Sequence, residues 1–531
     1  MDTQDHRFGS ARFANQAEIA RAGMFDQQRN SLLVGFCGSR PIWYSGMGGL
    51  LLVAGARSGK MRDILAYNIC SGIYDRSLVV LDMKGEGGAI SQDQTPDGKF
   101  CLYVNPLAQH SLAQHSLNPV DYIRIDSPTL VSDTKMYCAN ILPASGAKNG
   151  RYFEQTGQRY IEAIILPLTE TNGVLTLPDL YKAVTLLAQG GDAWLDFAFN
   201  MSESRFPIAR SVEAEIATAR TSNGDGFNGV IGEITNAFAC LSDPLLMKAV
   251  SPPFDFSMAQ LCESDQAYQL YLMIPPEFVG PWAPVVKSIF VAGMVYKSRA
   301  PSAPQQTWLM DECAQLGAFP LVTKLFSYGA GIGIRPWAVY QSAAQMRQTG
   351  PDAETIIPSS AALQSYFAVR DLPSARIVSD MLGDQTLEFF DEFKQADARH
   401  AQENAMRALL NNADPVQVGA EYAHHMRQAR QPAKMRRSLR SPDEILNMPS
   451  DKQFIFADGL DHPIYGDRKP YFEQRFMAGR FHPNPFHPPL DKVRVKTRFG
   501  HAWRNVVREP VPKEFAHYPQ YKDGFWSVVK G

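Results

Sequence analysis

The sequence predicts an α/β protein built on a parallel sheet that helices cover on both faces. Short apolar runs recur along the chain, and helix-length segments separate them. Runs that are apolar on both faces are typical of strands buried in a parallel sheet. The predicted strands are residues 50–54, 77–82, 268–274, 307–311, 335–341 and 366–369. Because single cores stop growing near ~250–300 residues, a chain of 531 residues indicates two or three domains.

One interval interrupts the alternation of strands and helices. Between residues 128 and 250 apolar residues recur at helical spacing and strand signals are scarce, so we predict an inserted all-helical domain there. The predicted order is an N-terminal segment (1–49), the first part of the sheet domain (50–127), the helical insertion (128–250), the second part of the sheet domain (251–390), a helical basic linker (391–440), a C-terminal part packing on the core (441–484) and a basic Pro-rich tail (485–531).

Composition indicates an ordinary globular protein. The formal net charge is −2 and 45% of the residues are hydrophobic, which argues against a disordered chain. The seven cysteines form no CxxC pair, so we expect reduced thiols and not a zinc site. We expect neither a signal peptide nor a membrane span, because the polar N-terminus has no apolar run and prolines break the most apolar stretch, residues 267–296.

A strand, a glycine-containing turn and a helix start follow one another near residue 55. This order is typical of a phosphate-binding loop, in which backbone N–H groups cradle phosphates and a lysine reaches the β and γ oxygens. Met61 stands where a Ser or Thr normally holds Mg²⁺, and Ala54 stands where the first glycine is expected. A chance Gly-Lys turn is the alternative. The predicted cofactor-binding residues are Gly55, Ala56, Arg57, Ser58, Gly59, Lys60 and Met61.

A second apolar strand, residues 307–311, runs into two adjacent carboxylates. Asp311 is predicted to hold Mg²⁺ through water, and Glu312 to act as the general base that polarises an attacking water. Gln341 ends the next predicted strand, where it would sense the γ-phosphate. Together with Lys60, these residues predict an ATPase that uses ATP and Mg²⁺. Two acids that merely cap a strand are the alternative.

Eight short blocks, taken in order, resemble the TraG-like type IV secretion coupling proteins, which are conjugative DNA-transfer ATPases. The resemblance runs over nearly the whole chain, with two departures: Met61 in the loop and Met83 in place of a usual proline. Most members also carry N-terminal transmembrane helices, which this sequence does not show. The blocks are residues 6–12, 57–60, 79–86, 117–121, 310–317, 341–345, 371–383 and 440–445.

The resemblance implies a RecA-like P-loop nucleotide-binding domain and a hexameric ring with ATP at each subunit boundary. A neighbouring subunit would supply an arginine, for which Arg335, Arg347 and Arg370 are candidates. The partners it implies are DNA, a relaxase–DNA complex or a secreted protein, chosen by the helical insertion, and the secretion channel or a membrane-anchored partner. The implied location is the cytoplasm, peripherally at the inner face of the bacterial inner membrane.

Two basic stretches, residues 427–440 and 492–508, are candidates for contact with DNA or anionic lipid, and solvated surface charge is the alternative. Two other functions stay open from the sequence. A degenerate ATPase that serves as a cargo-docking scaffold is suggested by Met61. A soluble FtsK-like or packaging motor is suggested by the absence of membrane helices.

Overall fold

The structure is a computed structural model. It describes residues 7–70, 72–92, 98–143, 150–222, 224–263, 266–389, 392–411, 414–430, 433–477, 480–486, 492–518, 521 and 524–530.

The strands and helices are numbered here in chain order. The strands are β1 Leu32–Cys37, β2 Arg40–Tyr44, β3 Gly49–Ala54, β4 Ser77–Leu81, β5 Lys99–Val104, β6 Ala267–Leu272, β7 Gln306–Met310, β8 Ile334–Tyr340, β9 Ala361–Phe367, β10 Asp384–Phe389, β11 Ala433–Ser438, β12 Lys452–Ala457, β13 Ile464–Asp467, β14 Lys492–Thr497, β15 Gly500–Pro510 and β16 Phe525–Lys530. The α-helices are α1 Gln16–Arg21, α2 Ala66–Ile69, α3 Glu86–Ile90, α4 Leu130–Ile141, α5 Gly150–Asn172, α6 Leu177–Gln189, α7 Asp192–Glu203, α8 Pro207–Ser222, α9 Gly224–Phe238, α10 Pro244–Ala249, α11 Pro276–Arg299, α12 Pro320–Ile332, α13 Ala353–Ser360, α14 Leu372–Leu382, α15 Glu392–Leu410, α16 Pro415–Arg430 and α17 Pro442–Leu446.

Eleven strands form one sheet, in the order β2-β1-β13-β12-β9-β3-β8-β7-β4-β6-β5. The seven strands from β9 to β5 are all parallel, which confirms the predicted α/β fold. Each strand predicted from the sequence is one of these seven. Because parallel neighbours end at the same edge, residues that follow β3, β7 and β8 meet there.

The central strands are buried on both faces. Alternate residues of β3 enter two different cores: Leu51 and Val53 pack on one face of the sheet, and Leu50 and Leu52 on the other. Burying a side chain of this size stabilises the fold by roughly 1.5–3 kcal/mol. This two-sided burial explains why β3 reads as a continuous apolar run and not as an alternating one.

Four antiparallel strands extend the sheet beyond β9. Strands β12 and β13 come from residues 441–484 and lie between β9 and β1, so this late segment is part of the sheet itself. The sequence predicted only that the segment packs on the core. Residue Asp467, at the end of β13, pairs with Phe36 of β1.

Helices lie between β5 and β6. Helix α5 packs against α4, α6, α8 and α9, and these helices share a core with the sheet domain. After β6, helix α11 is the one described helix that is long and apolar enough to cross a membrane. Its apolar window is 78% buried against the rest of the protein, which is typical of a core helix.

The predicted basic linker (391–440) and the predicted tail (485–531) contain more structure than the sequence suggested. In residues 391–440, α15 and α16 pack against each other and β11 pairs with β10. In residues 485–531, predicted as a tail, β14, β15 and β16 form a three-stranded antiparallel sheet. The alternating pattern of residues 492–498 indicated an extended segment, but the strands that pair with it are not evident from that pattern.

Candidate nucleotide-binding site

The loop between β3 and the following helix has the backbone of a phosphate cradle. Arg57 and Gly59 are left-handed, with φ of 56° and 83°. A Cβ on Gly59 would lie 2.7 Å from the carboxylate of Asp63, and a Cβ on Gly55 would lie 2.6 Å from the Ala368 carbonyl oxygen. Both positions therefore need glycine, which supports the reading of this turn as a built loop and not a chance Gly-Lys pair.

The predicted acidic residues face this loop across one strand. Asp311 and Glu312 follow β7, and Gln341 follows β8, which lies between β7 and β3. The Lys60 Nζ is 4.0 Å from Glu312 Oε1. The Gln341 side-chain amide donates a hydrogen bond of 2.8 Å to the same oxygen. The structure thus brings together all four residues predicted for catalysis.

Three buried polar atoms in this cleft have no hydrogen-bond partner among the described residues: Ser58 Oγ, Lys60 Nζ and Asp311 Oδ1. An unsatisfied buried polar group costs ~1–3 kcal/mol, so such atoms are rare unless a ligand, ion or water meets them. A hydroxyl and an ammonium suit phosphate oxygens, and a carboxylate oxygen suits a hard cation such as Mg²⁺. The residues present fit a nucleotide with its magnesium ion.

The electrostatics of the cleft point the same way. Burial raises the pKa of Asp311 to about 6; the Lys60 ammonium opposes this shift, and the Glu312 carboxylate adds to it. Burial also raises the pKa of Asp82, the residue after β4, to about 7. The Gly88 N–H donates to the Asp82 carboxylate at 2.7 Å and opposes that rise. A divalent cation bound beside these carboxyl groups would stabilise their charged forms.

Two residues at the site had no predicted role. Asp82 lies in the block at residues 79–86 and directly follows the apolar strand β4, which is the parallel neighbour of β7. An acid after an apolar strand was the signal that could have identified Asp82 as a site residue. Arg468 lies one residue after β13, and its guanidinium donates to the Ser58 carbonyl oxygen at 2.8 Å. Nothing in the local sequence pattern connects Arg468 with a loop more than 400 residues earlier.

Met61 takes no polar part in the site. It begins a π-helical turn, Met61–Leu65, and its side chain packs against the core on one face of the sheet. A thioether is a poor ligand for Mg²⁺, so the position offers no metal-binding hydroxyl.

The three candidate arginines differ in their surroundings. Arg335 is fully buried and donates to the carbonyl oxygens of Gly46 and Asn30, so it cannot enter a neighbouring subunit, and its candidacy was wrong. Arg347 is exposed and pairs with Glu354. Arg370 is exposed beside the loop, its Cδ 3.4 Å from where a Cβ of Gly55 would lie.

Several cations of the first basic stretch pair with acids that lie outside it. Lys434 pairs with Glu388 of β10 at 2.9 Å, and the Arg436 Nε donates to Asp384 of the same strand at 2.7 Å. Arg437 pairs with Glu444 at 2.8 Å. The pairing of β10 with β11 brings in the first two acids, so this stretch is a weaker candidate for phosphate contact than its sequence indicated. In residues 492–508 most basic side chains lie outside the described set.

Comparison with known proteins gives consistent results at the level of sequence. The family described as "Type IV secretory system Conjugative DNA transfer" matches residues 2–489. The conjugal transfer protein TraG of Escherichia coli is 23% identical over 529 residues, which are 90% of this chain and 78% of that protein. TraG of Rhizobium radiobacter is 24% identical over 427 residues, 78% of this chain and 61% of that protein.

Solved structures of the conjugative coupling protein TrwB share the fold. An unbound form superposes with a TM-score of 0.60 at 14% identity and covers 88% of this chain and 99% of that chain. A complex with ADP and Mg²⁺ has a TM-score of 0.61 at 13% identity and covers 87% and 94%. A complex with the non-hydrolysable ATP analogue ADPNP has a TM-score of 0.58 at 14% identity, covering 88% and 96%.

Proposed function

Since the chain belongs to the type IV secretory system conjugative DNA transfer family, we propose that it is an ATP-hydrolysing coupling protein that delivers DNA or protein cargo to a secretion channel. The observation that carries the proposal is the approach of Lys60 Nζ to Glu312 Oε1, at 4.0 Å, from strands far apart in sequence. A hydrolytic phosphate site needs a cation for the phosphates beside a base for water.

The residues of this chain divide the work as follows. Backbone N–H groups of the loop and the Lys60 ammonium bind the phosphates. Asp311 would hold Mg²⁺ through water, and the ion would supply positive charge that neutralises the phosphate oxygens. Glu312 accepts the proton of the attacking water, and the Gln341 amide holds the Glu312 carboxylate in place through its hydrogen bond.

The assembly we propose is a ring, with six subunits as the expected number and the nucleotide at each boundary. Arg347 and Arg370 are exposed and remain the candidates for the arginine that a neighbour supplies. The partners are DNA or a relaxase–DNA complex, a secreted protein, and the secretion channel. The protein then works in the cytoplasm, at the inner face of the bacterial inner membrane, held there by the channel or an anchored partner.

ATP turnover by the purified protein tests the enzymatic part. Lys60→Ala is expected to lower turnover by on the order of 100-fold or more, because the phosphates lose their buried cation. Lys182→Ala, an exposed lysine of α6 in the helical domain, is the matched control and should turn over ATP like the wild type. Equal rates for the wild type and Lys60→Ala would defeat the ATPase proposal.

The position of Met61 favours one second candidate, a degenerate ATPase that binds nucleotide weakly or not at all and serves as a cargo-docking scaffold. The Met61 side chain is packed into the core and leaves no hydroxyl for the metal. That candidate predicts weak or absent nucleotide binding and no turnover above the Lys60→Ala background. The family match favours either coupling role over a motor unrelated to secretion.

A further inference from the structure

A single arginine from the C-terminal segment lies under the phosphate loop. The Arg468 side chain is 1% exposed. Its Nη1 donates to the Ser58 carbonyl oxygen at 2.8 Å and to Asp63 Oδ2 at 2.9 Å. Ser58 belongs to the loop and Asp63 to the helix that follows it. The guanidinium therefore joins the phosphate loop to the helix that follows it.

Asp63 is the residue through which this contact reaches the tightest turn of the loop. Its backbone N–H donates to the Gly59 carbonyl oxygen at 2.8 Å, and its carboxylate oxygen Oδ2 lies 2.7 Å from the place that a Cβ on Gly59 would take. The helix starts with a π-turn, in which the Ala66 N–H donates to the Met61 carbonyl oxygen. π-turns concentrate at functional sites because they carry a local distortion that the surroundings must maintain.

The rest of the guanidinium is fixed by the sheet. Arg468 Nε donates to the Lys452 carbonyl oxygen at 3.3 Å, and Nη2 donates to the Ser450 carbonyl oxygen. The guanidinium carbon lies 3.9 Å from the ring centroid of Phe367, the last residue of β9. Because the planar guanidinium is held by these two carbonyl oxygens, its Nη1 faces Ser58 and Asp63 in one fixed orientation. A lysine ammonium cannot reproduce that orientation.

We propose that Arg468 is a positioning residue for nucleotide binding: it holds the Ser58 carbonyl and the Asp63 carboxylate so that the N–H groups around Gly59 and Lys60 face the phosphates. The inference rests on the proposed nucleotide site. It adds that the conformation of the loop is set by the strand pair β12–β13, from which Arg468 projects. A shift of that strand pair would change nucleotide affinity without touching the ligand.

A purely structural role is the competing explanation, and the chain offers a matched control for it. Arg335 is also fully buried, donates to two backbone carbonyls and lies near aromatic rings, but at the opposite end of the sheet. Arg335→Lys and Arg468→Lys make the same chemical change in similar surroundings. They differ in whether the phosphate loop is a neighbour.

The test measures binding of a fluorescent ADP analogue, thermal unfolding, and hydrogen exchange of residues 55–63 in the wild type and both variants. Both variants are expected to lower the melting temperature by similar amounts. Arg468→Lys is expected to weaken ADP binding about tenfold, the effect of losing a hydrogen bond to a charged group, and to speed exchange in the loop. Arg335→Lys should leave affinity and loop exchange at wild-type values.

The outcomes separate the two proposals. If the wild type binds ADP and Arg468→Lys binds it with the same affinity, the positioning role is overturned and the proposed nucleotide site stands. Equal weakening in both variants assigns Arg468 to general stability and also overturns the inference. If Arg468→Lys does not fold, Asp63→Asn replaces it, with the same expected loss of affinity and faster loop exchange. No ADP binding by the wild type would overturn the proposed function, and the inference with it.

Discussion

Two clusters of buried polar side chains, one at each end of the parallel sheet, differ in whether their hydrogen bonds are satisfied. At the amino end, Arg335 donates to the Thr307 hydroxyl at 3.1 Å, and the Tyr74 hydroxyl shares a hydrogen bond of 2.8 Å with the same oxygen. At the carboxyl end, Ser58 Oγ, Lys60 Nζ and Asp311 Oδ1 lack hydrogen-bond partners within the described residues. One group of buried polar atoms satisfies itself, and the other group is complete only with a ligand.

This difference separates two uses of buried polarity in a single sheet. A saturated cluster such as Arg335–Thr307–Tyr74 fixes strand positions and has no capacity left for a substrate. An unsaturated cluster costs the fold stability, which a ligand can restore on binding. Substitutions at the amino end should therefore change unfolding, and substitutions at the carboxyl end should change nucleotide binding and turnover.

The largest expected effect is that of Glu312→Gln on hydrolysis. The change keeps the shape of the side chain and an oxygen that accepts from Gln341, but removes the base. Turnover is expected to fall by roughly 10²–10⁴-fold, the usual contribution of a general base, while ADP affinity stays within a factor of about three. Glu277→Gln, at an exposed position of α11, is the control. A turnover rate above one tenth of wild type would remove Glu312 from the role of base.

The second effect concerns the pH dependence of stability. Burial raises the pKa of Asp82 from the usual 3.8 of an aspartate to about 7 in the folded protein, so between these values the folded state binds more protons than the unfolded state. The free energy of unfolding of the nucleotide-free protein should therefore fall as pH rises from about 4 to about 7, by roughly 2–4 kcal/mol. Asp82→Asn should flatten much of that slope in urea titrations, leaving the smaller contribution of Asp311. An unchanged slope would show that Asp82 is not buried in its protonated form.

A gain of function at Met61 would sharpen the comparison. Met61→Thr supplies the hydroxyl that phosphate-binding loops offer to Mg²⁺, and we expect Mg²⁺-dependent ADP affinity to rise up to about tenfold. Met61→Val introduces a side chain of nearly the same shape as threonine but without the hydroxyl, so ADP affinity should not rise. Both variants should lose some thermal stability, because each gives up contacts that Met61 makes with the core. Equal ADP affinities in Met61→Thr and Met61→Val would contradict the assignment of position 61 to the metal-binding hydroxyl of the loop.

The smallest effects come from a matched pair of hydroxyl deletions. Tyr74→Phe breaks a buried hydrogen bond at the amino end and should cost about 1 kcal/mol of stability with no change in ADP affinity. Ser58→Ala deletes a hydroxyl that has no hydrogen-bond partner within the described part of the chain, so stability should stay constant or rise while ADP affinity falls a few-fold. Chemical unfolding and ADP titration of both variants test this. Lower ADP affinity in Tyr74→Phe together with lower stability in Ser58→Ala would contradict the distinction between the two clusters.

The sequence predicted the catalytic residues better than it predicted the antiparallel strands at the edge of the sheet. Strands β3, β7 and β8 are local apolar runs, and Lys60, Asp311 and Gln341 follow them at the same edge, so a parallel sheet was enough to predict that these residues meet. Arg468 and the position of β12 and β13 depend on pairing between residues more than 400 apart, such as Phe36 with Asp467, and local patterns contain no information on such pairing. The acids that pair with Lys434 and Arg436 were also missed because they come from β10, whose pairing with β11 is not visible in the local pattern.

The place of β12 and β13 between β9 and β1 also has a consequence for how the protein is made. A ribosome must deliver residue 467 before the hairpin of β1 and β2, among the first elements to emerge, can join the growing sheet. Until then the free side of β9 is an open strand edge, of the kind that invites pairing with other chains. Polypeptides that stop before residue 452 should therefore collect in aggregates or be captured by chaperones, even though every phosphate-loop residue is already present.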